Sequence, residues 1–385
     1  LPADLLTLRG EIVCGHPDRN VSRVAVDGRV AYLKRDHLTG VRTRVRNWLA
    51  GFGPVSRCER EATTLRRLAA AGLPAPRVLA AGPGFLLIEE VPDAVPLGDI
   101  RLSAADRRVL AERLGRELAE VHAAGFGTPE LAAKHALVGR DTLAVTLLDW
   151  QSSPRPGPVA VRDRVRQLAN LHATVAESGD RLRCLWAYRR VWAQTGTPPR
   201  FGELARRIDA EAGKRRRRSS VRDQLRPAGS AQRLVWLAGE RCCVVPEVAD
   251  DWPMPADGEP FYGPPTAGED YPLPDGRTAT LVRFRTVAPL GRLVAAVRER
   301  PWRSPAAEAA RVLFHLARHG LPGPTLLAFG QRLTGPASAD SFVLYLPPDP
   351  ADRPVSADRL AAAGLRFVGP GRVIGSPLAV RRVKR

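Results

Sequence analysis

Gly28-Arg29-Val30-Ala31-Tyr32-Leu33-Lys34-Arg35 is the stretch on which the fold turns. It reads as a turn glycine followed by a short strand with a lysine near its end. Two β-type runs precede it, Glu11-Ile12-Val13 and Val21 to Val26, with turn signals at Gly15-His16-Pro17-Asp18 and Asp27-Gly28. Beyond it, Ser56 to Ala71 has helical spacing: Leu65, Leu68 and Ala69 share a face, Gly72 stops the helix, and Pro74 and Pro76 follow. Phe85 to Ile88 predicts a further buried strand. The first stretch is therefore a sheet with one principal helix.

The pattern then changes. Ser103-Ala104-Ala105-Asp106 is a capping-box-like start, and Leu110, Leu114, Leu118 and Val121 run down one face to His122. After Gly125 comes a loop, then Ala136-Leu137-Val138 and Val145-Thr146-Leu147-Leu148, a hairpin that delivers Asp149. Arg-rich helices follow from Val161 to about Ala193. A sheet followed by a mostly helical region predicts an α+β, two-lobed domain over residues 1–212. The run Lys214 to Ser220 has no apolar period and predicts a basic linker over 213–232. From Pro246 to about Gly276 the chain is rich in Pro, Gly and Asp.

A repeat organises the rest. The stretch at Gly28 returns 248 residues later as Gly276-Arg277-Thr278-Ala279-Thr280-Leu281-Val282-Arg283. At the same offset Leu65, Leu68, Gly72-Leu73-Pro74 and Pro76 match Leu313, Leu316, Gly320-Leu321-Pro322 and Pro324. Residues 233–385 thus read as a degenerate second copy of the first lobe, with too few residues after Leu346 for a second helical lobe. Val282 stands where Lys34 would be and Ala309 where Glu61 would be, so this copy is expected to lack catalytic residues and to serve regulation, docking or structure.

Bulk composition narrows the classes. The 385 residues are 44% hydrophobic and 26% charged, which supports a real core. No apolar run approaches the roughly 18–20 residues that span a bilayer as a helix. The five cysteines show no CxxC or Cys/His metal spacing, and Cys242 and Cys243 are adjacent; a reducing compartment without zinc is the expectation. The net charge of +19 predicts attraction to polyanions. The run 214–218 lacks interleaved aromatics for stacking on bases, which argues against nucleic acid and leaves an anionic membrane face as the other use for a tether.

Phosphoryl transfer needs a cation on the nucleotide phosphates, carboxylates for magnesium and a group that orients the attacking hydroxyl. Lys34, near a strand end, suits the first role, and Glu61 on the next helix suits a partner that aims it. Asp149, just after an apolar strand, suits the metal. Tyr32-Leu33-Lys34-Arg35, Glu59-Arg60-Glu61 through Gly72-Leu73-Pro74-Ala75-Pro76, Leu147-Leu148-Asp149-Trp150-Gln151 and the Arg162-to-Asn170 segment resemble the lipopolysaccharide core kinase (Kdo/WaaP-type) branch of the protein-kinase-like superfamily. The resemblance covers about Gly15 to Tyr188.

The resemblance implies that Glu130 occupies the catalytic-acid position and His135, five residues on, a magnesium-side or phosphate-side position. Thr128-Pro129-Glu130 replaces the family's His-Arg-Asp, a departure at the reacting centre. Arg19 and Ser22 correspond to the Arg and Thr of the family's phosphate-covering hairpin. The implied activity is transfer of phosphate from ATP, with Mg2+, to a sugar hydroxyl of a glycolipid or oligosaccharide of the lipopolysaccharide core. The implied location is cytoplasmic and peripheral, at the inner face of the inner membrane. A catalytically silent pseudokinase, with Lys34 and Asp149 as structural remnants, is the alternative.

Overall fold

A computed structural model describes residues 8, 10–16, 19–36, 39–175, 177–224, 234–245, 248, 258–287, 303–318, 320–335, 338–348, 356, 358–359, 365–367 and 380–382. Pro17 and Asp18 of the expected phosphate hairpin, residues 225–232 of the expected linker and most of 246–257 lie outside the described residues. The chain forms two compact units, Leu1–Val13 with Val21–Asp223 and Cys14–Asn20 with Gln224–Arg385.

The first unit opens with a five-stranded sheet of order β1-β2-β3-β5-β4, from β1 (Glu11–His16), β2 (Arg19–Val26), β3 (Arg29–Asp36), β4 (Val78–Gly82) and β5 (Phe85–Glu89). Side chains alternate across a strand, and both faces of this sheet are used. Val24, Ala31, Leu33, Phe85 and Leu87 bury one face. Leu86 and Ile88 turn the other way, into the core that holds Leu65 and Leu68. Between β3 and β4 run α1 (Val41–Leu49) and α2 (Arg57–Ala70). Ser56 caps α2 with a reciprocal box, its hydroxyl accepting from the Glu59 amide while the Glu59 carboxylate accepts from the Ser56 amide. Gly72, at φ 66°, lets the chain leave α2 in the left-handed region.

A three-stranded sheet β6 (Ala94–Pro96), β7 (Ala136–Gly139) and β8 (Val145–Leu147) and the helices α3 (Ala104–Ala123), α4 (Val161–Thr174), α5 (Ser178–Thr195) and α6 (Phe201–Gln224) complete this unit. Helices α3 and α5 approach so closely that a Cβ on Gly115 would lie 2.1 Å from the Cys184 carbonyl oxygen.

Over the described part of the basic linker expected at 213–232 the chain is helical: α6 runs on through Lys214 to Arg218 and ends at Gln224. Leu204, Ile208 and Ala212, four residues apart, are fully buried and anchor the helix. Beyond Ala212 the helix propagates without an apolar stripe, because Arg and Lys are good helix formers. Lys214 and Arg215 face Glu211 at 3.4 and 3.9 Å, and Arg216 donates to the His172 carbonyl.

In the second unit a six-stranded sheet has the order β11-β12-β14-β13-β10-β9. Its strands are β9 (Val235–Trp236), β10 (Cys243–Val244), β11 (Thr266–Pro272), β12 (Thr278–Val287), β13 (Thr325–Leu333) and β14 (Ser338–Leu346). Helix α7 (Pro305–Arg318) lies between β12 and β13 in sequence and packs Leu313 and Leu316 against Val282, Phe329 and Val343. A short pair, β15 (Leu365–Phe367) and β16 (Val380–Arg382), is antiparallel.

Candidate active site

Strand β3 presents Lys34 on the face opposite to Leu33, and α2 presents Glu61 to meet it. Lys34 Nζ and Glu61 Oε1 are 2.7 Å apart, with the lysine side chain 22% exposed and the glutamate 4%. Burial opposes the lysine's charge, but the Glu61 carboxylate and its hydrogen bond, helped by Asp149, hold the ammonium above the ordinary lysine range. The same Glu61 oxygen accepts from the Trp150 amide at 3.3 Å, and the fully buried Trp150 ring donates to the Leu147 carbonyl at 2.8 Å. Glu61 therefore joins the lysine of one lobe to the segment that follows the β7–β8 hairpin.

Asp149 sits at φ 64°, a left-handed conformation that aspartate tolerates better than most side chains. Burial raises its carboxyl pKa; Lys34 pulls it down, Glu61 pushes it up, His135 pulls it down and Glu130 pushes it up. His135 Nε2 lies 3.6 Å from Asp149 Oδ2, while its Nδ1 lies 2.7 Å from the Glu130 carbonyl. A carbonyl only accepts, so Nδ1 carries a proton and Nε2 is the ring nitrogen turned towards the carboxylate.

Glu130 is exposed, and its Oε1 accepts from the Ser152 hydroxyl at 2.8 Å. The loop that carries it is tied down from below. Gln167 Oε1 accepts from the Thr128 amide at 2.7 Å, Asn170 Nδ2 donates to the Pro129 carbonyl at 2.5 Å, and Thr174 Oγ1 accepts from the Ala133 amide at 2.9 Å. Gln167 also meets His122 Nε2, whose ring meets Tyr188 at Nδ1; burial lowers the His122 pKa to about 4 and keeps the ring neutral. On the other side Arg60 donates to the Ser153 carbonyl at 2.5 Å, which ties α2 to the segment after Asp149.

The structure thus brings Lys34, Glu61, Asp149, His135 and Glu130 together. Ser22 does not join them. It lies on the same face of β2 as Val24, and its hydroxyl accepts from Arg35 on the buried side of the sheet. Strand alternation puts that face opposite to Lys34, so Ser22 is a packing residue and not a phosphate ligand. Arg19, at the start of β2, belongs to the 14–20 segment that groups with the second unit. Sequence reasoning missed Gln167, Asn170 and Thr174. Their polar spacing of three and four residues on an otherwise apolar helix face is the signal that would have found them.

Among the described residues no cluster of three His, Cys, Asp or Glu side chains is arranged as a metal cage. Magnesium rarely needs one, since it keeps its waters and takes one or two carboxylates plus substrate phosphates. The donor set fits that mode. Asp149 would be the hard oxygen ligand, and the His135 imidazole, a poor ligand for magnesium, would orient it or face phosphate.

A model of the phosphotransferase enzyme family (APH) matches residues 26–237. No curated protein matches the chain. Similar solved structures include WaaP in complex with acyl carrier protein, at 22% identity over 55% of this chain and 91% of that one, TM-score 0.41. Two others are the macrolide 2′-phosphotransferase MphH from Brachybacterium faecium, apoenzyme (18% identity, 52% and 81% covered, TM-score 0.38), and an aminoglycoside-3′-phosphotransferase of type VIII (19%, 49% and 87%, TM-score 0.33).

Proposed function

This chain belongs to the phosphotransferase enzyme family, and from that premise we propose that its first unit phosphorylates a sugar hydroxyl of a lipopolysaccharide-core-type glycolipid. The observation that carries the proposal is the 2.7 Å pair of Lys34 and Glu61 with Asp149 beside it. ATP with magnesium supplies the phosphoryl group and the positive charge that neutralises the oxygens around it. Lys34 holds the nucleotide phosphates, Glu61 keeps Lys34 aimed, and Asp149 with His135 attends the metal side. Glu130 accepts the hydrogen of the acceptor hydroxyl. Its side chain is one methylene longer than the family's aspartate, and the Ser152 hydroxyl draws it back towards the segment after Asp149. The acceptor class rests on the resemblance of the Lys34, Asp149 and Arg162–Asn170 stretches to core kinases. The net charge of +19 suits an anionic membrane face on the cytoplasmic side.

The second unit is proposed as a degenerate copy of the first unit's sheet lobe, in a regulatory, docking or structural role. Its strands β11-β12-β14-β13 follow the order of β2-β3-β5-β4, with α7 in the place of α2. The pairing register slips between Val78 and Ala80 in one sheet and between Leu326 and Ala328 in the other, positions that differ by the repeat's own 248 residues. Val282 and Ala309 are buried where Lys34 and Glu61 would stand, so this unit would hold no nucleotide phosphate.

A thermal-shift titration with Mg-ATP on the wild type, Lys34→Ala and Asp149→Ala tests the nucleotide site. A wild-type shift absent from both variants is expected; no wild-type shift would refute ATP binding. The departure at Glu130 favours a second reading, a pseudokinase. Turnover on lipopolysaccharide-core glycans by wild type and Glu130→Asp but not by Glu130→Ala supports the enzyme, and zero turnover in all three supports the pseudokinase.

A further inference from the structure

Helix α1 is built inside out. A surface helix normally turns its apolar stripe to the core, yet Val41, Val45, Trp48 and Leu49 are 77, 45, 61 and 75% exposed. At about 100° per residue these four fall within one arc. Arg44 borders the arc on one side, and Arg42 and Arg46 border it on the other. The helix carries no acidic residue.

The face turned inward is polar. Asn47 is 2% exposed; its amide nitrogen donates to the Val55 carbonyl at 2.8 Å and its oxygen accepts from Arg60 at 2.9 Å. The helix end is equally fixed. Gly51, at φ 80°, allows the Phe52 amide to reach the Asn47 carbonyl at 2.9 Å, and the Arg60 guanidinium lies 4.8 Å from the Phe52 ring centroid. The outward stripe is therefore held there by buried hydrogen bonds and is not a loosely packed side.

We propose that α1 is a membrane-docking helix, with Val41, Val45, Trp48 and Leu49 entering the acyl boundary of an anionic bilayer and Arg42, Arg44 and Arg46 meeting lipid phosphates. An amphipathic helix with a basic polar face and a tryptophan on its apolar face is the chemistry of the bilayer interface. Arg44 remains a charged donor there while one of its nitrogens bonds the Pro54 carbonyl. A second copy of this chain fits less well. A self-complementary contact through the stripe would bring the flanking arginines of both copies together, and one nine-residue helix offers far less than the roughly 800 Å² per partner of a stable interface.

The inference rests on the membrane-facing part of the proposed function, but its test uses neither ATP nor glycan. Flotation with phosphatidylcholine vesicles is compared with flotation on an equal mixture of phosphatidylcholine and phosphatidylglycerol. Wild type is expected to float with the anionic vesicles alone, and Val45→Asp/Leu49→Asp to bind them at least ~10-fold more weakly, since two buried apolar side chains are lost. The emission difference between wild type and Trp48→Phe is expected to shift to the blue on the vesicles and to be quenched by brominated acyl chains. An unshifted, unquenched difference overturns the proposal even if the double variant folds poorly. So does a double variant that folds as wild type and floats as well, which would move the contact to another surface such as the arginines of α6. Failure of wild type to float, or a doubled solution mass that the double variant abolishes, overturns it in favour of no membrane or of a second copy. Intact flotation without a Mg-ATP shift would sink the catalytic reading alone, and the converse would sink this one alone.

Discussion

Replacing Lys34 by methionine removes the cation and keeps most of the volume. What remains is Glu61, 4% exposed, with the Trp150 amide donating to it at 3.3 Å. Breaking a buried pair by removing one partner costs about 3–5 kcal/mol, because a charge stays behind without compensation. Lys34 is itself 22% exposed, so water can reach the gap and the low end applies, about 3 kcal/mol. For a unit of this size each kcal/mol moves the melting point by about 2–4 °C, so Lys34→Met should lower the first unit's transition by roughly 6–12 °C. Glu61→Gln leaves the ammonium beside Asp149, an alternative counter-charge, and should cost less, about 1–2 kcal/mol. In Lys34→Met/Glu61→Gln no uncompensated charge remains, and the glutamine oxygen can still accept from Trp150. The double variant should be more stable than Lys34→Met alone, with a coupling of about 2 kcal/mol. Calorimetry on the four proteins measures it. A Lys34→Met loss below about 1 kcal/mol, or effects additive within about 0.5 kcal/mol, would refute the account of the pair as buried and mutually dependent.

Asp149→Asn should raise the melting point of the first unit at pH 7–8 while removing the Mg-ATP shift. The folded carboxyl is raised above its unfolded value, so the stability it contributes is full below the ordinary carboxylate range and is lost as pH rises; the gain in the variant should fade on acidification towards that range. His122 behaves oppositely. Its folded pKa of about 4 lies below the ordinary histidine value of about 6.5, so its contribution is full above about 6.5 and disappears as pH falls through 4. About 3 kcal/mol is involved, and His122→Gln should flatten this acid limb in a series of melts at different pH. Gly115→Ala sets a methyl 2.1 Å from the Cys184 carbonyl, against backbone that cannot swing aside. Helices α3 and α5 must separate, and urea denaturation should show a loss of about 2–3 kcal/mol, the upper part of the overpacking range; a neutral variant would mean the helices slide freely.

The frame of the candidate site was legible because three side chains each end a strong local pattern. Lys34 closes a strand, Glu61 lies in a helix whose start and stop are both written in the sequence, and Asp149 follows a hairpin. Ser56 with Glu59 and the left-handed Gly72 mark the helix limits without tertiary help. Three things were not legible. Helix α1 starts at Gly40 with no capping side chain, and its apolar residues face away from the core, so neither its cap nor its burial pattern announced it. The arginines after Ala212 carry no stripe, and their helicity is inherited from the anchored turns before them. Ser22 follows the strand's own alternation, which composition at a hairpin does not report.

Why a proposed second lobe copy would keep its frame after losing its chemistry follows from the same energetics. In the first unit the Lys34–Glu61 pair is costly to desolvate, and the stability it contributes depends on both partners staying. In the second, Val282 and Ala309 are 2% and 5% exposed in one core with Leu313, Leu316, Leu321 and Phe329. Exchange of a buried ion pair for packed apolar side chains is often neutral or stabilising, whereas loss of one partner alone is strongly destabilising. In a copy with no need to bind phosphate, joint loss of both charges would carry no penalty in folding. The left-handed turn glycines at 28 and 276 and at 72 and 320 are different in kind. A side chain there strains the backbone whatever the unit binds, so these positions would persist in a lobe that no longer holds a nucleotide.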